Sequence, residues 1–209
     1  VGVLEFDKDT AEGRGMMKSI LCLVIAYFLG AIPWAYIVTK AVKGIDIRQV
    51  GSGNVGFTNA LRTIGKGPAL LVLAGDIGKG AAAVLLAKYL ATPTIAALAG
   101  IMVLLGHNYP IYLGFKGGKG AAAGFGVMLA LLPLEALIAV VVWLAVIFLT
   151  RYVSLGTIVG ALTVPISTII FNQELPYLLF SIVAAAFVIV KHHSNIRRLI
   201  EGTESKIGK

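Results

Sequence analysis

SILCLVIAYFLGAIPWAYIVT, residues 19–39, carries no charged side chain and, coiled as a helix, is about long enough to cross the hydrocarbon layer of a bilayer. It is too long for a signal-peptide core and has no clear small-residue cleavage site, so it reads as a retained transmembrane helix. Comparable apolar runs follow at about 67–90, 94–105, 120–132, 136–150, 154–171 and 176–190, and these predict an all-α integral membrane protein with seven spans. Two runs carry flaws. The 67–90 run holds Asp76 and Lys79 in its middle, and the 94–105 run is short, so broken or tilted helices are expected there.

Composition agrees with the span count. The chain is 58% hydrophobic and only 13% charged, which leaves little for a soluble domain, so loops and helix ends must carry the chemistry. A formal charge of +8 would point to nucleic acid in a soluble protein, but here the basic residues sit between apolar runs, where they set orientation and meet anions. A nucleic-acid partner is therefore not expected. Cys22 is the single cysteine and lies inside the first run, which excludes an intrachain disulfide or a thiolate cluster. Residues 1–15, VGVLEFDKDTAEGRG, hold four of the ten acidic residues and precede Met16 and Met17, so they read as a polar tail or a cloning remnant. Residues 16–209 form one polytopic membrane domain.

Alternating the spans sends thirteen basic residues to one face: Lys40, Lys43, Arg48, Arg62, Lys66, Lys116, Lys119, Arg151, Lys191, Arg197, Arg198, Lys206 and Lys209. The other receives Lys8, Arg14, Lys18 and Lys88. Positive-inside bias makes the first face cytoplasmic, with the N-terminus outside and the C-terminus inside. Every unusual polar segment falls on that face.

Those segments suit phosphate. Gly-Lys-Gly occurs at 65–67, 78–80 and 118–120; glycine lets the backbone approach an anion and lysine neutralises it. In GSGNVGFTNALR, residues 51–62, Gly51, Gly53 and Gly56 open space, while Ser52, Asn54, Thr58 and Asn59 offer hydrogen bonds and Arg62 a forked cation. A helix starting near Thr58 would set Asn59 and Arg62 on one face and add its free amides. The bland alternative is a helix cap plus a turn, worth about 1 kcal/mol. Lys116, Gly117, Gly118 and Lys119 lie in GFKGGKG, just before a helix expected near Ala121. A helix terminus contributes about 0.3–1 kcal/mol to an anion, against up to roughly 4 kcal/mol for a unit charge about 4 Å away at intermediate dielectric, so the lysines dominate.

Asp76 and Lys79 are three apart and would face each other on a helix. Each alone costs roughly 2.5–3.5 kcal/mol at mid-span, so either a structural ion pair or contact with substrate accounts for them. His192 and Asn195 share a spacing that can align both on one ligand, while His107 stands alone in GHNYP. No HExxH or Cys/His cluster suggests zinc, and each Gly-Lys-Gly has glycine where a Walker A loop needs a hydroxyl, so neither metal nor cofactor is expected.

Taken in order, GSGNVGFTNALR, GDIGKG, GHNYP and GFKGGKG resemble the bacterial acyl-phosphate:glycerol-3-phosphate acyltransferase family (PlsY), from about residue 16 to the C-terminus. No histidine has aspartate five positions on, the dyad of acyl-CoA-dependent glycerolipid acyltransferases; Tyr112, Arg197 and Arg198 stand there. The resemblance implies a multi-pass enzyme of the bacterial cytoplasmic (inner) membrane that acylates the 1-hydroxyl of glycerol 3-phosphate from acyl phosphate, giving lysophosphatidic acid and phosphate. Because acyl phosphate is a mixed anhydride with a good leaving group, direct attack without an acyl-enzyme is expected, as is a monomer working beside membrane lipid. On that expectation Ser52, Arg62, Lys119, His192 and Asn195 hold glycerol 3-phosphate, with Ser52, Lys119, His192 and Asn195 closest to the chemistry. Asn54, Thr58, Asn59 and the glycine amides bind acyl phosphate; Asp76, Lys79, His107 and Lys116 complete the substrate site. The base is His192 or the donor's own phosphate. An acyl-CoA or acyl-carrier donor stays open, and a small transporter of organic phosphates is the rival from another class.

Overall fold

The computed structural model describes residues 2–207, with side chains described from residue 13 onward. Side chains of the polar tail before Gly13, including Lys8, and Lys209 at the other end lie outside the described residues. All regular structure among the described residues is helical: α1 (Gly2–Ala31), α2 (Trp34–Lys43), α3 (Phe57–Ile64), α4 (Lys66–Leu90), α5 (Pro93–Asn108), α6 (Ala121–Leu131), α7 (Pro133–Thr150), α8 (Val153–Ile170), α9 (Leu175–Lys191) and α10 (His193–Ile200). Five stretches are long and apolar enough to cross a membrane: Gly13–Lys43, Lys66–Leu90, Pro93–Leu113, Pro133–Thr150 and Val153–Ile170. A sixth is α9 taken with α10 across a 59° bend, and α6 is a shorter apolar helix.

The helix break lies elsewhere than the sequence suggests. α4 runs unbroken past Asp76 and Lys79, whereas the first span is interrupted at Ile32 and Pro33. Proline has no N–H and disfavours helix in the residue before it, so α1 ends there. The Ile32 carbonyl so released would be an unpartnered polar group at membrane depth, and Lys79 Nζ donates to it at 2.7 Å. Lys79 also lies 2.7 Å from Asp76 Oδ1. The two charges that seemed to threaten α4 therefore neutralise each other and repair the break in its neighbour.

Glycines set the closest helix contacts. A Cβ at Gly80 would strike the Ala123 carbonyl and one at Gly126 the Ile77 carbonyl, so α4 and α6 touch backbone to backbone. Gly30 meets Val103 and Gly106 meets the Tyr27 carbonyl in the same way between α1 and α5. These contacts draw α1, α4, α5 and α6 into one apolar cluster that includes Cys22, Val84, Val103, Leu104 and Val127.

Chain direction then sorts the loops. The long connections 44–56 and 109–120, the α7–α8 junction and the segment after α9 gather at one end, while the α4–α5, α6–α7 and α8–α9 junctions at the other end are short. At the short-loop end Glu135, fully buried in the first turn of α7, accepts a hydrogen bond from Gln173 Nε2 at 2.7 Å.

Candidate active site

At the long-loop end lies a cavity of about 990 Å³, walled by the 51–62 segment, the loop before α6, the start of α8, the α9–α10 bend and the C-terminal tail. It continues into an apolar channel lined by Leu104 of α5, Met128 of α6, Val140 and Trp143 of α7 and Val164 of α8. Polar groups at one end and hydrocarbon at the other suit a ligand with an anionic head and a long chain.

The 51–62 wall is built by one side chain. Asn59 is 1% exposed; its Nδ2 donates to the carbonyls of Ile47 (3.2 Å), Val50 (3.0 Å) and Asn54 (3.1 Å), and its Oδ1 accepts from the Ser52 amide (3.0 Å). Gly51, at φ +59°, has no room for a Cβ because Asn59 Oδ1 occupies it. Below the loop, Asp46 caps a 3-10 turn by accepting from the Arg48 amide at 2.9 Å and pairs with the Arg48 guanidinium at 2.7 Å. Arg48 Nη1 then donates to the Leu113 carbonyl at 3.4 Å, tying this loop to the next. Ser52, Asn54 and Thr58 are left lining the cavity around the amino end of α3, with Arg62 lining it from the helix's last turn.

Lys119 enters from the opposite wall, one residue before Gly120 turns at φ +81° into α6. Its Nζ donates to Asn195 Oδ1, and Asn195 Nδ2 in turn donates to Glu204 Oε1 at 2.7 Å. Glu204 also accepts from Ser154 Oγ and from Arg198 Nε, each at 2.7 Å. Burial opposes the Glu204 carboxylate, yet these hydrogen bonds outweigh it and hold its pKa below the ordinary value. His192 is buried at the bend, and its Nδ1 lies 2.7 Å from the Val188 carbonyl. A carbonyl only accepts, so the proton is on Nδ1 and the Nε2 lone pair is free.

Burial, reinforced by the nearby Arg198 charge, brings the Lys119 pKa down to about 8. Lys119 is cationic below that value and loses charge above it, so kcat/KM for an anionic substrate should fall as pH rises through about 8. Lys119→Arg should remove this basic limb, because guanidinium does not titrate in that range. A limb unchanged in Lys119→Arg would assign the titration to another group.

Of the residues expected in the site, Gly51, Ser52, Gly53, Asn54, Gly56, Thr58, Arg62, Asp76, His107, Gly117, Lys119, His192 and Asn195 do line the cavity. Four differ from expectation. Asn59 borders it, but its amide is spent on the loop. Lys116 is exposed outside it, because the turn through Phe115 at φ +63° points the two lysines of GFKGGKG to different places. Gly118 is buried against His107 Nε2 and the Val55 carbonyl. Lys79 lies behind the cavity wall, against the break at Ile32 and Pro33. Sequence reasoning missed Ser154, Arg198 and Glu204. Two acids, Glu201 and Glu204, follow two arginines at the end of the chain, and nothing local tells which of them enters the cavity or marks Ser154.

Fold and cavity together define a multi-pass membrane protein with one cavity that is polar at the long-loop end and apolar beyond it. A family profile described as Glycerol-3-phosphate acyltransferase matches residues 20–202. A "Glycerol-3-phosphate acyltransferase" of Desulforamulus reducens is 48% identical over 194 residues, covering 92% of this chain and 97% of the relative. A "Glycerol-3-phosphate acyltransferase 2" of Moorella thermoacetica is 50% identical over 190 residues, 91% of this chain and 98% of the relative. Among solved structures, the glycerol 3-phosphate form of PlsY (YgiH), an integral membrane glycerol 3-phosphate acyltransferase, superposes with a TM-score of 0.88 at 37% identity, covering 91% of this chain and 96% of that one. Its lysophosphatidic acid form gives 0.86 at 36% identity over 91% and 95%. The chain belongs to the glycerol-3-phosphate acyltransferase family. It is a membrane acyltransferase.

Proposed function

We propose that this enzyme moves a fatty acyl group from acyl phosphate to the 1-hydroxyl of glycerol 3-phosphate, releasing lysophosphatidic acid and phosphate. The observation that carries the proposal is the continuity of one cavity from Lys119, Arg62 and Ser52 into the apolar channel past Trp143. Both substrates bear phosphate, and one bears a chain that needs such a channel.

Lys119, held by Asn195, takes the glycerol 3-phosphate phosphate with Ser52 and Arg62. The amino end of α3, with Asn54 and Thr58, takes the acyl phosphate and the oxyanion that develops at its carbonyl. The glycerol oxygen attacks the acyl carbon, the new ester C–O bond forms, and the C–O bond to phosphate breaks. Acyl phosphate is a mixed anhydride with a good leaving group, so no acyl-enzyme is needed. Positioning of the two substrates contributes about 7–11 kcal/mol. The free Nε2 of His192 accepts a hydrogen bond from the glycerol hydroxyl and aims it, while the departing phosphate receives the proton. His192→Gln, whose carbonyl offers an acceptor near the Nε2 position, is therefore expected to keep activity within about tenfold, and His192→Ala to lose about 10²-fold or more. Equal inactivity of both variants would make His192 the base.

Thirteen basic residues on the site-bearing side against four on the other support a cytoplasmic site, an outer N-terminus and an inner C-terminus in the bacterial inner membrane. Counting α1 with α2 as one span, and including α6 and α9, gives seven crossings, and a monomer contains every group invoked. Detergent-purified enzyme supplied with labelled glycerol 3-phosphate is expected to make lysophosphatidic acid from palmitoyl phosphate and not from palmitoyl-CoA. Product from the thioester alone would overturn the donor assignment. Uptake of glycerol 3-phosphate into sealed vesicles without chemical change would favour a transporter instead.

A further inference from the structure

The buried cluster of Asp76, Lys79 and His107 stands beside the cavity without a part in the chemistry above. Lys79 Nζ, besides serving the Ile32 carbonyl, lies 3.0 Å from His107 Nδ1, and His107 Nδ1 is 3.6 Å from Asp76 Oδ1. An ammonium only donates, so Nδ1 accepts and the ring proton sits on Nε2, the atom turned towards Gly118. All three groups are almost fully buried, and they join the α1–α2 break, α4 and α5 at one point.

The anion loop is seated on that point. Gly118 donates its amide to the His107 carbonyl at 3.1 Å, and the Phe115 amide reaches the Pro110 carbonyl at 2.9 Å. A Cβ at Gly117 would strike the His107 carbonyl and Pro110, and one at Gly118 the His107 ring. At Gly120 it would lie 3.1 Å from Asn108 Oδ1, tighter than ordinary contact. Three glycines of GFKGGKG thus lie flat on residues 107–110, and Lys119 alone projects from the loop into the cavity.

We propose that Asp76, Lys79 and His107 are positioning residues: they fix the 107–110 turn, and through it the height and direction at which the glycine loop presents Lys119 to a substrate phosphate. No member of the cluster need touch the substrate. Lys79 serves the Ile32 carbonyl and Asp76 neutralises it, and the role adds a reason for that pair to stand against His107 beside the site. It rests on the assignment of Lys119 to phosphate.

Two variants test it. Asp76→Leu/Lys79→Met removes both charges together, so neither is stranded, though it also takes the donor from the Ile32 carbonyl, and His107→Asn keeps an acceptor for Lys79 while withdrawing the ring from Gly118. In each, the KM for glycerol 3-phosphate is expected to rise by about tenfold or more with a smaller change in kcat. Without substrate, hydrogen exchange in peptides covering 115–120 is expected to quicken by about tenfold, and exchange in α8 and α9 to stay as in the parent. Unchanged KM and unchanged loop exchange in a folded variant would overturn the proposal. So would faster exchange spread evenly over all helices, which marks a merely structural role. If the double variant does not fold, His107→Asn decides by the same two readouts. Lys119→Met run in parallel keeps the two ideas apart. A normal KM there sinks the phosphate assignment, whereas the loop exchange, measured without substrate, still reports whether the cluster holds the loop.

Discussion

Lys119→Met is expected to lower kcat/KM for glycerol 3-phosphate by about 10²–10³-fold, the loss typical of removing one preorganised charge-stabilising group from a water-poor site. Three lysine or arginine side chains line the cavity among the described residues, and they are not equivalent. Arg62 is exposed. Arg198 is already compensated by Glu204 at 2.7 Å. Lys119 is half-buried and bonded only to the neutral Asn195 amide, so its charge is held for a ligand. A unit charge about 4 Å from a phosphate oxygen at intermediate dielectric is worth roughly 4 kcal/mol before desolvation is subtracted, which brackets the expected loss. Lys119→Arg should recover part of it, since charge is kept but the planar fork does not fit a pocket shaped by a point donor. Steady-state formation of lysophosphatidic acid over a glycerol 3-phosphate series measures both variants. A loss under about threefold in Lys119→Met would move the phosphate elsewhere in the cavity, with Arg62 the next candidate.

The helices and the polar end of the molecule were legible in the sequence because each is a local property. Hydropathy marks spans, and glycine beside lysine marks an anion loop whether or not the fold is known. What was illegible depends on contacts between distant segments. Pro33 was visible, but its span looked continuous because the cost of the break is removed at the Ile32 carbonyl by Lys79, 47 positions from Ile32. The same pairing made α4 look broken when it is not. Lys116 and Lys119 look interchangeable in GFKGGKG, and only the positive φ of Phe115 and Gly120 separates the exposed one from the one in the cavity. Glu204 could not be placed, since its partners Asn195 and Arg198 on α10 and Ser154 on α8 come from two distant parts of the chain. Asn59 was the subtlest case. Its residue type suits a ligand and a loop brace equally, and the sequence does not say where its amide points.

Asn59→Asp is expected to be nearly as damaging to activity as the loss of Lys119, though no substrate need touch the side chain. The aspartate keeps an oxygen for the Ser52 amide but turns a second oxygen, charged, towards the carbonyls of Ile47, Val50 and Asn54, which the native amide satisfies. Each polar group so orphaned costs about 1–3 kcal/mol, with charge repulsion added. The loop can relieve this only by opening. Residues 44–56 have few apolar anchors beyond Ile47 and Val55, so local opening costs less than unfolding the bundle. Ser52 and Asn54 would then leave the cavity wall, and activity should fall by about 10²-fold while the thermal midpoint of the helical bundle moves by only a few degrees, about what 1–2 kcal/mol confined to a loop produces. Asn59→Leu, of similar volume but with nothing to offer the four backbone groups, should behave alike. Were Asn59 a substrate ligand, Asn59→Asp would instead leave exchange in the 47–56 amides at the parent rate and change only KM. Hydrogen exchange across that loop, measured with the activity, separates the two because a brace must loosen the loop when it is removed and a ligand need not.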